Sequence, residues 1–148
     1  MLAPHHPSPA QFLHVDAKAR TALVTLIAGY NGENNGFNFD GYGRGELLVS
    51  VPRGWRVRVT CTNHGGMNHS CAVVKGPMTI TPAFRGASIR NPVAGIPQGA
   101  KATFTFVASR AGSYRLACLV PGHEEARMWD VLQVTAGGRP SISARAGP

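Results

Sequence analysis

The stretch Cys118-Leu-Val-Pro-Gly-His123-Glu-Glu-Ala-Arg-Met128 places a thiol, an imidazole and a thioether at equal spacing, with four residues in each gap. The residues before it, from Tyr114 to Cys118, alternate between large apolar and polar or small side chains, which is typical of a strand. The residues after it, from Trp129 to Val134, are also predicted to form a strand. A loop between two strands can fold its three donor side chains around a single metal ion.

Outward from this loop, the chain predicts an all-β fold. Short alternating or apolar segments are separated by turns rich in the 18 Gly and 11 Pro residues, and 148 residues suit one domain. We expect a Greek-key β-sandwich or barrel of about seven or eight strands, with a long Gly/Asn-rich loop at 31–45 and flexible termini. The other five predicted strands cover residues 21–28, 46–51, 55–61, 69–74 and 102–107.

The composition along the chain predicts three parts. Residues 1–19 lack periodicity and are expected to form a flexible arm with three solvated histidines (His5, His6 and His14), residues 20–136 form the folded domain, and residues 137–148 form a flexible tail. The sequence has no apolar run of about 18 residues that could span a membrane. The arm also lacks the apolar core of a signal peptide, so an export signal or membrane anchor would be absent from this sequence.

Two imidazoles, one thiolate and a weak thioether are the ligands of a blue-copper electron-transfer site. The loop provides Cys118, His123 and Met128, so a second histidine must come from elsewhere. His69 begins a predicted strand and shares a face with Cys71, which favours it over His64 in a Gly-rich loop. The structural alternatives are that His69 is a hydrogen-bonded core residue and that Met128 only fills the core.

Other chemistries fit the loop less well. A nucleophilic Cys118 with His123 as its base would need an orienting Asn or Asp and would leave Met128 unexplained. Structural zinc sites usually have four Cys or His ligands. A dicopper site would need a second Cys between 119 and 122, and a multicopper enzyme would need a further cluster of histidines. A copper carrier or storage protein without a redox role remains the alternative to an electron carrier.

Three further side chains are candidates for supporting this site. Cys61 and Cys71 are predicted on inward faces of neighbouring strands, where they form either a disulfide or two buried thiols; a disulfide would indicate an oxidising compartment. Ser70 either forms a hydrogen bond towards the Cys118 loop, which would tune a metal site, or faces solvent on its strand.

The net charge of +8, from 15 basic and 7 acidic residues, bears on possible partners. It is consistent with a basic soluble surface or with electrostatic steering of an acidic redox partner. The arginines are scattered and no zinc-finger or RNP-like motif accompanies them, so we expect no nucleic-acid partner.

The Cys118–Met128 loop with Trp129, the triplet Asn68-His69-Ser70 and the stretch Asn38-Phe39-Asp40-Gly41-Tyr42 resemble the cupredoxins, and most closely their sulfocyanin branch. The resemblance covers roughly residues 20 to 135. The sequence departs from the family in two features, the Cys61/Cys71 pair and Arg127 beside Met128, and Arg127 could affect the redox potential or partner docking.

The resemblance implies a β-sandwich that binds one copper ion per chain, with His69, Cys118, His123 and Met128 as ligands. It implies a one-electron carrier of a respiratory chain rather than an enzyme. The expected location is outside the cytoplasm, in the periplasm or on the outer face of the cell membrane. The expected partners are redox proteins of the cytochrome or terminal oxidase class, and we expect a monomer that meets the membrane only through a removed signal or anchor.

Overall fold

The computed structural model describes residues 6–145, and this part of the chain contains nine strands and two 3-10 turns. The turns are Pro9–Phe12 and Glu33–Gly36. None of the helical segments within residues 6–145 has the length and apolarity needed to cross a membrane. The strands are β1 Leu13–Asp16, β2 Thr21–Ala28, β3 Leu47–Pro52, β4 Arg56–Asn63, β5 Ala72–Val74, β6 Lys101–Val107, β7 Gly112–Ala117, β8 Trp129–Thr135 and β9 Ser141–Ala144.

The strands form two sheets, with the orders β1-β2-β4-β6 and β5-β7-β8-β3-β9. Most neighbours are antiparallel, but β2 pairs with β4 and β3 pairs with β8 in parallel. The β7 and β8 strands are antiparallel neighbours in the five-stranded sheet, with Ala117 opposite Trp129. The residues between them, 118–128, therefore form a loop at one end of that sheet.

The alternating pattern of the strands produces the core. Every second residue of β2 and of β4 is buried, including Val57 and Val59, while Arg56 and Arg58 are exposed. Residues from both sheets belong to one cluster of buried apolar side chains. The predicted all-β class and two-sheet sandwich are confirmed.

Strand pairing extends beyond the predicted domain bounds on both sides, although the three-part division itself stays a prediction. Residues 13–16 of the predicted arm pair with β2, and residues 141–144 of the predicted tail pair with β3. His6 stacks on the Tyr42 ring with centroids 5.0 Å apart, so the prediction that it is solvated was wrong. His14 is exposed on β1, and His5 lies outside the described residues.

The predicted disulfide is present between Cys61 on β4 and Cys71, the residue directly before β5. It therefore joins the two sheets. The loop that it closes contains His64, Met67 and His69, so the disulfide restrains the segment that brings His69 to the end of the sandwich.

The 31–45 loop packs against the domain through buried polar and aromatic residues. The Asn38 side chain is buried; its Oδ1 accepts hydrogen bonds from the Tyr30 and Gly41 N–H groups, and its Nδ2 donates to the Asn31 and Glu33 carbonyls. This loop carries Phe37 to the same end of the sandwich as the Cys118 loop.

Candidate metal centre

The loop between β7 and β8 is closed by backbone hydrogen bonds that join its three candidate metal ligands. The Cys118 N–H donates to the Met128 carbonyl at 3.2 Å, and the Met128 N–H donates to the His123 carbonyl at 3.0 Å. Gly122 and Arg127 have positive φ values of 88° and 70°, which turn the chain on either side of His123. The backbone of the loop alone therefore holds the three candidate ligands close to one another.

His69 comes from the other side of the site, on an extended segment before β5. It forms an isolated antiparallel bridge with Ile96, in which His69 N–H donates at 3.2 Å and its carbonyl accepts at 2.8 Å. The buried Asn63 side chain donates to the Met67 and Ile96 carbonyls at 2.7 and 2.8 Å. These bonds place the His69 backbone against two neighbouring loops.

Glycine is required beside His69. At Gly95, which has a φ of 76°, a Cβ atom would lie 2.8 Å from both the His69 carbonyl oxygen and a Val120 methyl carbon. A side chain here would push the His69 segment away from the Cys118 loop.

Three donor atoms converge between these segments. The Nδ1 atoms of His69 and His123 are 3.2 Å apart, and Cys118 Sγ lies 3.3 Å from His123 Nδ1 and 3.9 Å from His69 Nδ1. All three residues are buried. Since metal–nitrogen and metal–sulfur bonds are about 2.0–2.3 Å long, atoms at this spacing can share one ion.

The other candidate ligands differ in their surroundings. Met128 is fully buried in the same apolar cluster as Cys118, at the closing pair of the loop. His64 is exposed and does not belong to the group of converging donors. Met128 as a ligand stays a prediction, because its burial alone also fits a core residue.

Ser70 contacts the Cys118 loop through its backbone and its side chain. Its N–H donates to Cys118 Sγ at 3.3 Å, and its Oγ accepts a hydrogen bond from the Leu119 N–H at 2.9 Å. Its Oγ also lies 3.8 Å from Cys118 Sγ. Because Ser70 is buried, it does not face solvent, and hydrogen bonds of this kind fix the direction of a metal-binding sulfur.

Burial shifts the pKa of each of the three converging side chains. It lowers the pKa of His69 to about 4, with a further contribution from His123, and it lowers the pKa of His123. Burial raises the pKa of Cys118, an effect partly offset by the Ser70 hydrogen bonds. The imidazoles are therefore neutral and able to bind a metal at neutral pH, whereas the thiol must lose its proton when a metal binds.

The donor set fits copper better than the other metals. Neutral imidazole nitrogens and a thiolate suit copper and zinc, and a buried thioether at the end of the same loop suits copper. In the part of the chain that the structure describes, these three donors are the only such His, Cys, Asp or Glu group. The residues present therefore fit a single mononuclear site.

Phe37 was not identified from the sequence as part of the site. Its ring meets the His123 imidazole edge to face at 5.0 Å and the His69 imidazole at 6.5 Å. It partly covers both rings, and His123 is only 8% exposed. The sole signal for Phe37 in the sequence was an aromatic residue within a Gly/Asn-rich loop.

The chain is similar to known proteins over most of its length. The sulfocyanin (SoxE) domain model matches residues 8–138. Sulfocyanin from Sulfolobus acidocaldarius is 30% identical over 125 residues, which cover 76% of this chain and 63% of that protein. The chain thus spans less than two thirds of that relative's length.

Solved structures share the fold. Reduced auracyanin from Roseiflexus castenholzii superposes with a TM-score of 0.54 at 23% identity, covering 78% of this chain and 97% of that one. Auracyanin B gives a TM-score of 0.55 at 21% identity, covering 88% and 98%. A blue copper oxidase from Nitrosomonas europaea gives 0.53 at 25% identity, covering 66% of this chain but only 31% of the oxidase.

Proposed function

The chain belongs to the sulfocyanin family, and from this premise we propose that it is a mononuclear copper protein that carries single electrons in a respiratory chain. The observation that carries the proposal is the convergence of His69 Nδ1, His123 Nδ1 and Cys118 Sγ in one buried position. We propose these three atoms as the metal-binding atoms and the Met128 sulfur as a weak fourth ligand.

The protein would hold the metal-binding side chains in fixed positions during electron transfer. Copper, when bound, provides the one-electron couple between Cu(I) and Cu(II). The chain holds its donors on two segments that are fixed by backbone hydrogen bonds, by Ser70 and by the Cys61–Cys71 disulfide. Donors held in this way need little rearrangement when the charge of the site changes, which favours rapid electron exchange.

We infer that partners dock on the apolar rim beside the ligand loop. Leu119, Val120 and Pro121 line a groove of about 330 Å³ together with Met78, Ile80 and Val93, three large apolar side chains that are exposed. Redox encounters are typically small and short-lived, and a patch of this kind beside the site is suited to them.

We also propose the class of the redox partner and the location of the protein. An acidic protein of the cytochrome or terminal oxidase class would be attracted by the net charge of +8. The disulfide supports a location outside the cytoplasm, because such bonds persist in oxidising compartments.

A visible spectrum of the oxidised, copper-loaded protein tests the proposal. We expect an intense Cu(II)–thiolate band that is lost in Cys118→Ser and lost or strongly altered in His69→Ala and His123→Ala. The control is His64→Ala, in which an exposed imidazole is removed and the band should be unchanged. An unchanged band in Cys118→Ser would refute the assignment.

The same protein separates an electron carrier from a copper carrier or storage protein. The proposed function predicts a reversible one-electron wave in voltammetry of the copper-loaded wild type. Tight copper binding without the thiolate band and without such a wave would support the storage function instead.

A further inference from the structure

Glu124 differs from its neighbour Glu125 in where its carboxylate lies. Glu124 follows His123 directly, and its side chain is only 7% exposed, whereas Glu125 is exposed. A buried carboxylate requires partners, because removing a charge from water is costly. The partners of Glu124 connect the ligand loop with the rest of the site.

The Glu124 carboxylate joins three segments of the chain through one oxygen. Its Oε2 accepts a hydrogen bond from Arg115 Nη1 of β7 at 2.6 Å and from the Met78 N–H at 3.0 Å. The Arg115 guanidinium lies 3.8 Å from the centre of the Trp129 ring, at the start of β8. A charge-assisted hydrogen bond and a cation–π contact therefore act on the same arginine.

These contacts flank the proposed ligands on both sides. Glu124 is covalently next to His123, and Trp129 is covalently next to Met128. The Met78 segment forms one wall of the apolar groove beside Cys118. The ion pair thus ties the ligand loop to β7, to β8 and to the groove wall.

Resting on the proposed function, we propose that Glu124 and Arg115 are positioning residues that fix the ligand loop and tune the reduction potential of the copper site. Together the two side chains are electrically neutral. Removing one of them leaves the opposite charge uncompensated in a poorly solvated position near the metal. Loss of the carboxylate favours Cu(I) and loss of the guanidinium favours Cu(II), so the two single changes act in opposite directions.

The test compares the reduction potentials of Glu124→Gln and Glu125→Gln. Both changes remove one negative charge from adjacent residues, but only Glu124 pairs with Arg115. We expect Glu124→Gln to raise the potential by about 59 mV, a tenfold change in the Cu(II)/Cu(I) equilibrium, and Glu125→Gln to change it several-fold less. Equal shifts in the two variants would overturn the proposal.

The double variant Glu124→Gln/Arg115→Met separates charge pairing from simple disruption of the loop. If the pair is electrostatically balanced, the second change moves the potential back towards the wild-type value, and Arg115→Lys alone stays closer to wild type than Arg115→Met does. A double variant that stays at, or moves beyond, the potential of Glu124→Gln would overturn the proposal.

A readout on the metal-free protein tests the positioning contact without copper. Glu124→Ala removes the acceptor of the Met78 N–H, so we expect hydrogen exchange of that amide to accelerate at least tenfold, with no change in Glu125→Ala. Equal exchange in both variants would contradict the contact. If the wild type lacks the thiolate band, the proposed function fails even where the exchange result holds, so the two failures are distinguishable.

Discussion

At the scale of single residues, Ser70 is the side chain whose removal should weaken the ligand loop most selectively. Its Oγ accepts the Leu119 N–H, and both residues are buried. Ser70→Ala leaves that N–H without its acceptor, so we expect the free energy of unfolding of the metal-free protein to fall by about 1–3 kcal/mol in urea denaturation.

Ser113→Ala is the matched control for this prediction. Ser113 is exposed on β7, so the same chemical change there should alter the unfolding free energy by no more than about 0.5 kcal/mol. Similar losses in both variants would mean that the Ser70 hydrogen bond to the loop does not stabilise the fold.

The lowered pKa of His69 predicts how the stability of the metal-free protein depends on pH. Its pKa is about 4 in the folded state and about 6.5 in an unfolded chain, so the unfolded chain binds more protons between these values. The contribution of His69 to stability is complete above pH of about 6.5 and is lost as the pH falls to about 4.

A nuclear magnetic resonance titration of the His69 ring in the metal-free protein checks this directly. We expect a midpoint well below the ordinary histidine value. In urea denaturation, His69→Gln should lack part of the pH dependence between about 4 and 6.5 that the wild type has. A His69 midpoint near 6.5 would contradict the prediction.

The sequence predicted the candidate ligands, Ser70 and the disulfide, but not the other residues around the site, for a physical reason. Cys118, His123 and Met128 are close in the chain, so their spacing alone indicated a shared loop. Phe37 and Gly95 reach the site only because distant segments pack together. Contacts of that kind leave no local pattern in the sequence.

At the scale of elements, the disulfide between β4 and the residue directly before β5 should stabilise the segment that carries His69. Replacing both Cys61 and Cys71 by Ala removes a restraint on the unfolded chain, so we expect the free energy of unfolding to fall by roughly 2–4 kcal/mol in urea denaturation. Copper affinity should fall as well, because His69 would then be held less firmly.

A thiol titration of the denatured, copper-free wild type accompanies that measurement. One reactive thiol, that of Cys118, is expected, since it is the free cysteine of the chain. A titration that finds three thiols would contradict the disulfide and with it the expected loss of stability.

The sequence pattern of each strand explains whether it could be predicted. The sequences of β4 and β6 alternate clearly, with apolar side chains such as Val59 and Phe104 on the buried face, and β2 is a short run of mostly apolar residues. By contrast, β1 and β9 have four residues each, lie at sheet edges, and have no fully buried side chains. These two strands form by pairing with β2 and β3, and they were not predicted because they lie in Pro- or Gly-rich parts of the sequence.

At the scale of the whole molecule, the net charge of +8 should control how quickly charged reagents exchange electrons with the site. Hexacyanoferrate(III), an anion, is attracted by the protein's field, so its rate of oxidising the reduced copper protein should fall as salt screens that field. Tris(phenanthroline)cobalt(III), a cation, is repelled, so its rate should rise with ionic strength. Stopped-flow absorbance at increasing salt concentrations measures both.

The comparison of the two reagents also tests where the charge acts. The apolar groove beside the ligand loop is lined by two carboxylates, of which Glu124 is neutralised by Arg115 and Glu125 is exposed. If the field of the whole chain reaches the electron exit, the two salt dependences have opposite signs despite Glu125. If both rates fall, or neither changes, the local surface and not the net charge governs the encounter, and an acidic partner would gain no advantage from the basic composition of the chain.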